Sequence, residues 1–170
     1  QPAERLSAAV DRMDLACRGN LFAKSAVEMA LIDALARSMA VPAWQLLGGR
    51  RIDSMPLAWT LASGDVTRDI EEAQRMLEAR RHRIFKIKIG ARQPAEDVAH
   101  VSQIARALKG QARLTVDVNQ AWDGNTAKRL LPELIESGVD LIEQPVAKWN
   151  VEALRDLTAC LRGALVMADE

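Results

Sequence analysis

The stretch RIFKIKI at residues 83–89 alternates apolar and basic side chains along its length. Alternation with period two marks a β-strand with one face in a core and the other facing polar surroundings. Lys86 and Lys88, two apart, share one face, and Phe85 and Ile87 point the other way. Outward from this stretch, apolar segments of strand length take turns with amphipathic ones. PLAWTLA at 56–62 precedes it; LTVDVN at 114–119, LIEQP at 141–145 and ALVMAD at 164–169 follow. The first intervening helix has Val66, Ile70, Ala73 and Leu77 on one face, with Asp65 as its N-cap. The second has Val98, Val101, Ala105 and Leu108, Pro94 in its first turn and Gly110 at its end. Ala127 to Ile135 is helical in pattern and closed by Gly138, and Pro132 inside it predicts a kink or a late start. Val151, Leu154, Leu157 and Leu161 make the last helix, N-capped by Asn150. Strand, helix and strand repeated four times predict right-handed βαβ units and a parallel α/β sheet. An open doubly wound sheet and part of a (β/α)8 barrel both satisfy that pattern. No glycine-rich phosphate loop follows any strand, so an open sheet would be flavodoxin-like rather than dinucleotide-binding.

Upstream, residues 1–50 read as helical and form a part distinct from the βα region at 51–170. Leu6, Val10, Met13 and Cys17 recur at helical spacing before Gly19. A second face runs from Phe22 through Ala26, Met29, Ala30 and Leu35 to Met39. Val41-Pro42 breaks it, and a short turn around Trp44 and Leu47 leads to Gly48-Gly49.

Composition narrows the function classes. The 170 residues are 49% apolar and 27% charged, and 23 Lys plus Arg balance 23 Asp plus Glu. Zero net charge argues against phosphate-neutralising nucleic-acid binding and against a polybasic membrane anchor. No apolar run is long enough to span a bilayer. Two cysteines, Cys17 and Cys160, exclude a disulfide scaffold and fit a reducing cytoplasm. A start at Gln1 and an end at Asp169-Glu170, just after an apolar run, give both ends a cut look.

Ionisable groups stand at the ends of four strands. Asp117, Glu143 and Asp169 are separated by 26 residues and then by 26 again, the length of one βα unit. Equal spacing predicts three acids at one height, at the carboxyl ends of neighbouring strands, where sites lie in parallel α/β folds. Converging carboxylates repel, and a hard divalent cation with oxygen ligands is the natural neutraliser. The competing reading is three unrelated acids that each cap the following helix. Lys86 and Lys88 face the same region. Two ammonium groups about 7 Å apart along a strand depress one another's pKa, and a nearby metal depresses both further. That suits a general acid or base. The bland alternative is an edge strand guarded by charge. A lysine beside a carboxylate-bound cation suggests proton transfer next to a substrate carboxylate, through an enolate. His82, in a basic turn, and His100, on a helix, read as structural or solvated. Trp122 either positions the loop after Asn119 or simply packs.

These residues carry a resemblance. AWTLASGD at 58–65, RRHRIFKIKIG at 80–90, VDVNQAW at 116–122, LIEQP at 141–145 and MADE at 167–170 resemble the enolase superfamily. Within it they are similar to the muconate cycloisomerase group. GNLFAKSAVEMALIDALARSMAVPAWQLLGG at 19–49 is similar to that group too. The resemblance implies a partial (β/α)8 TIM-type barrel of about five strands over 51–170. Residues 1–50 would be the helical part of an N-terminal α+β capping domain. It implies Asp117, Glu143 and Asp169 as metal ligands and Lys88 as the acid/base. Lys86 would tune Lys88 and hold substrate, and Asn119 would be a polar site position. The implied metal is Mn²⁺, with Mg²⁺ possible. The implied reaction interconverts cis,cis-muconate (or chloromuconate) and muconolactone in aromatic compound catabolism. The implied partners are a small dicarboxylate and further copies of the subunit in a homo-oligomer.

The alternatives are a dipeptide epimerase, N-acylamino acid racemase or o-succinylbenzoate synthase of the same superfamily, or a non-catalytic, metal-binding flavodoxin-like module. The family's capping loop, its last three barrel strands and a second site lysine are not in this chain. It is therefore expected to be an internal piece, inactive alone. The expected structure is a curved five-stranded parallel sheet with helices on its convex side only. Lys88, Asp117, Glu143 and Asp169 should cluster at its carboxyl edge.

Overall fold

The computed structural model describes residues 2–170. The chain divides into two compact units, one ending at Met55 and one spanning Pro56–Glu170.

The first unit is helical. Helix α1 (Pro2–Ala16) packs beside α2 (Leu21–Ser38), and α3 (Ala43–Leu46) is a single turn against α2. Lys24 reaches Asp14 at 2.7 Å across the α1–α2 corner. Ala36 is buried, whereas Phe22, Met29 and Leu47 are well exposed.

The second unit holds the core. Strands β1 (Ala58–Leu61), β2 (Ile84–Lys88), β3 (Arg113–Asp117), β4 (Val139–Glu143) and β5 (Leu165–Met167) alternate with helices α4 (Val66–Glu78), α5 (Pro94–Ala107), α6 (Gly124–Ser137) and α7 (Val151–Cys160). All four pairings are parallel, and the strand order is β1-β2-β3-β4-β5. This order separates the two candidate architectures. A doubly wound sheet reverses direction at a switch point, which places helices on both faces. Here every right-handed crossover moves the same way, so all the helices fall on one face, as in a barrel. Helix neighbours agree: α4 packs on α5, α5 on α6, and α6 on α7. The flavodoxin-like alternative is thereby excluded.

Side-chain alternation sorts the two faces. Leu61, Ile87, Val116, Ile142 and Val166 lie in register across the sheet. The first four are fully buried against the helices, with Ala73, Val101, Ile104, Leu131, Leu134 and Leu157 in the same core. The opposite face carries Thr60, Lys86, Thr115, Leu141 and Leu165 in register, none of them buried.

The caps follow the local sequence. Asp65 accepts from the Arg68 amide, Asn150 from the Ala153 amide, and Pro94 opens α5. Gly138 closes α6 at φ 108. The late start expected for α6 does not occur. Asp123 accepts from the amides of Asn125 and Thr126, so the helix begins at Gly124 and continues through Pro132. Strands β2, β3 and β4 end earlier than the apolar runs suggest. Gly90 past β2, Asn119 and Gln120 past β3, and Gln144 past β4 take positive-φ backbone conformations, which turn the chain out of the sheet.

Two buried carboxylates on helices hold the loops after β1 and β2. Asp69 accepts from the Ser63 amide at 3.1 Å, and Asp97 from the Gly90 amide at 2.9 Å. His100 is buried, with its Nε2 3.3 Å from Asp69 Oδ2 but out of hydrogen-bond line. His82 meets the Leu57 carbonyl at 3.0 Å and lies beside the Trp59 ring.

Candidate active site

Lys88, Asp117, Glu143 and Met167 are register partners from β2 to β5. They form one row at the carboxyl end of the sheet, on the face away from the helices. Lys86 lies one step down the same face. Its ammonium stands between two acids, 2.5 Å from Glu143 Oε1 and 3.1 Å from Asp117 Oδ2. Lys88 Nζ is 3.8 Å from Asp117 Oδ2. The Asp117 carboxylate is almost wholly enclosed and that of Glu143 nearly so, while Lys88 is half exposed. Asp117 Oδ1 accepts the Asn119 amide at 3.0 Å. Asn119 thus supports the site through its backbone, and its side chain lies at the surface.

The electrostatics of Lys86 differ from the sequence expectation. Burial pulls the ammonium down, but the hydrogen bonds and charges of Glu143 and Asp117 outweigh that pull and hold it above its ordinary 10.5. The expected depression of Lys86 by its basic neighbour does not win, because two carboxylates lie far closer than about 7 Å.

Asp117 and Glu143 do not cap the helices that follow their strands. Capping falls to Asp65, Asp123 and Asn150, and backbone hydrogen bonds from Thr126 and Asn125 keep the Asp123 carboxyl below the usual range. The edge-strand alternative for Lys86 and Lys88 also fails, since β2 lies between β1 and β3.

Asp169 departs from the expected common height. Glu143 pairs with Met167, which places Asp169 two residues past the row. Parallel strands in a tilted sheet are staggered, so equal sequence spacing does not guarantee equal height. The Asp169 amide donates to Gln144 Oε1 at 2.8 Å. Among the described residues, no three acid, histidine or cysteine side chains stand together at metal-binding distance. The donor chemistry nevertheless fits a hard cation. Two enclosed carboxylates from neighbouring strands already share one positive charge, and all their donor atoms are oxygen.

The sequence reading gave Gln144 no role, yet it is 2% exposed and ties three strand ends together. Its one signal was an amide residue set between Glu143 and Pro145 in an otherwise apolar run. Trp122 packs into the core, and its amide donates to the Pro145 carbonyl, joining the loops after β3 and β4.

A consecutive parallel sheet with helices on one face and an acid–lysine row at its carboxyl edge defines a piece of a (β/α)8-type barrel with a barrel-mouth site. Comparison with known proteins places it more closely. Residues 68–170 match the enolase C-terminal domain-like family, and residues 1–48 match the mandelate racemase / muconate lactonizing enzyme N-terminal domain. The chain belongs to this enolase-superfamily lineage. It is 49% identical over 168 residues to chloromuconate cycloisomerase CbnB of Cupriavidus necator, covering 99% of this chain and 45% of the relative. Muconate cycloisomerase 1 of Pseudomonas putida is 52% identical over 149 residues, covering 88% of this chain and 40% of the relative. Among solved structures, the muconate lactonizing enzyme from Pseudomonas putida superposes with a TM-score of 0.94 at 47% identity, over 98% of this chain and 46% of that one. Muconate cycloisomerase from Pseudomonas fluorescens gives 0.92 at 50% identity, over 96% and 45%. The chain spans less than half the length of the curated relatives it matches. No helix among the described residues is long and apolar enough to cross a membrane.

Proposed function

We propose that the protein containing this chain is a divalent-metal-dependent cycloisomerase that interconverts cis,cis-muconate, or a chlorinated muconate, with the corresponding lactone. One observation carries the reading: Lys86 and Lys88 on the inner face of β2 oppose the enclosed Asp117 and Glu143 at the carboxyl edge of the sheet. The names of the relatives point to the same chemistry.

Asp117, Glu143 and Asp169 would hold the cation, Mn²⁺ or Mg²⁺. When bound, the cation supplies positive charge toward the carboxylate oxygens of the substrate. Lys86 orders the site by bridging Asp117 and Glu143, and it is placed to reach a substrate carboxylate. Lys88, half exposed and facing the open side, is the proton carrier. In the lactonising direction an oxygen of one substrate carboxylate bonds to the carbon β to the second carboxylate, and the π bond between that carbon and its neighbour beside the second carboxylate breaks. Its electron pair moves to the carbon beside the second carboxylate, and the Lys88 ammonium places its proton there. In reverse, neutral Lys88 removes that proton and the C–O bond breaks.

The test is a comparison on the intact protein. Cis,cis-muconate, a chloromuconate, N-acylamino acids and dipeptides are supplied with Mn²⁺, and turnover is followed for wild type and Lys88→Ala. The reading expects muconate-type turnover that Lys88→Ala lowers by about 10² to 10⁴ or more. Turnover of acylamino acids or dipeptides but not muconates would shift it to the epimerase and racemase relatives.

A further inference from the structure

We infer that Gln144 is a positioning residue whose side-chain amide sets the height of Asp169, and thereby the third oxygen ligand of the cation site. The inference rests on the metal reading above. Asp169 needs such support: it lies two residues past β5, beyond the last register pair, and is exposed. What reaches it is Gln144 Oε1, which accepts the Asp169 amide at 2.8 Å. The other end of the same side chain, Nε2, donates to the Val146 carbonyl at 2.9 Å. An amide N–H can only donate and a carbonyl can only accept, so the side chain has one satisfying orientation. A carboxylate would oppose the Val146 carbonyl, and a hydrocarbon would leave both groups unpaired.

The backbone of Gln144 is equally committed. Its amide donates to the Met167 carbonyl and its carbonyl accepts the Gln120 amide, both at 2.9 Å. It holds φ 38, a conformation that persists only where the surroundings enforce it. One buried residue adjacent to Glu143 therefore links the ends of β3, β4 and β5, its backbone reaching Gln120 and Met167 and its side chain Val146 and Asp169.

The test uses the intact protein with Mn²⁺ alone as the probe, comparing wild type with Gln144→Met, a substitution of similar length that can make neither bond. Two readouts are taken: hydrogen exchange at the Asp169 amide in metal-free protein, and Mn²⁺ affinity by electron paramagnetic resonance. Asp169 should exchange at least about tenfold faster in the variant, while the Val118 amide, bonded to the Glu143 carbonyl, keeps its protection. Mn²⁺ affinity should fall about 10- to 100-fold, the usual effect of losing a group that orients a ligand. Equal Mn²⁺ binding by the two proteins overturns the inference alone, as does an unchanged Asp169 amide. A wild type that binds no Mn²⁺ overturns the metal reading and this inference together. If Gln144→Met does not fold, wild type still decides. An Asp169 amide that exchanges as fast as the Glu170 amide refutes the link, and about tenfold protection supports it.

Discussion

Gly90 sits where β2 leaves the sheet, and the structure makes it a sharp test of how the site is held. Its φ is 103, and a Cβ built there would lie 2.5 Å from the Val118 carbonyl oxygen and 2.6 Å from the Ala121 Cβ. Ordinary contact begins near 3.4 Å, so the loop after β3 would have to retreat by almost 1 Å. That loop is backbone, not the free end of a flexible side chain. The positive φ costs an alanine about 1–3 kcal/mol, and the forced overlap adds about 1–3 kcal/mol. Gly138 provides the control, because its φ is 108 and nothing lies within 4 Å of its Cβ position. Gly138→Ala isolates the backbone cost, and Gly90→Ala adds the collision. With a urea m-value of about 2 kcal/mol/M, Gly90→Ala should lower the unfolding midpoint by about 1–3 M. It should exceed Gly138→Ala by about 0.5–1.5 M on the same scale. The same retreat carries the Asn119 amide away from Asp117, and a misplacement of about 1 Å can cost about 10²-fold in turnover. Equilibrium urea unfolding of both variants and a turnover assay on Gly90→Ala check this. Equal midpoints for the two variants would refute the close approach, and a destabilised but fully active Gly90→Ala would refute its link to the site.

Removing the cation between two enclosed acids is expected to cost more than a surface charge. Lys86→Met should lower stability by about 3 kcal/mol in metal-free buffer, and added Mn²⁺ should recover more of that loss than it adds to wild type; thermal unfolding with and without Mn²⁺ reads both. His100 is buried beside Asp69, so His100→Ala empties core volume and a loss of about 2 kcal/mol is expected. Chemical denaturation reads the loss, and an unchanged midpoint would mean that the neighbouring side chains close the gap. Pro132 lies exposed inside α6, where it removes a helix hydrogen bond. Pro132→Ala should raise the melting temperature, with a gain of up to about 3 kcal/mol, and an unchanged or lower value would mean that the helix has already adapted to the proline.

Much of this protein is determined by its sequence because the deciding forces are local. Alternation in RIFKIKI makes a strand whose lysines share a face. Asp65, Asn150 and Pro94 start helices because they satisfy or omit amides within a turn or so of themselves. Gly138 stops α6 because it alone tolerates the left-handed turn there. The acids Asp117 and Glu143 stood out as candidates because their repeated spacing after apolar strands puts them at neighbouring strand ends. What remained depended on contacts between distant segments, which no local pattern encodes. Strand order decided for a barrel over an open sheet, since the sense of each crossover is a property of the whole sheet. Proximity decided that Lys86 bridges Asp117 and Glu143 and is held above its ordinary pKa, because distance sets which charge prevails. Stagger between β4 and β5 lifted Asp169 out of the row that its 26-residue spacing implied, and only the folded chain brought Gln144 within hydrogen-bond reach of both Val146 and Asp169.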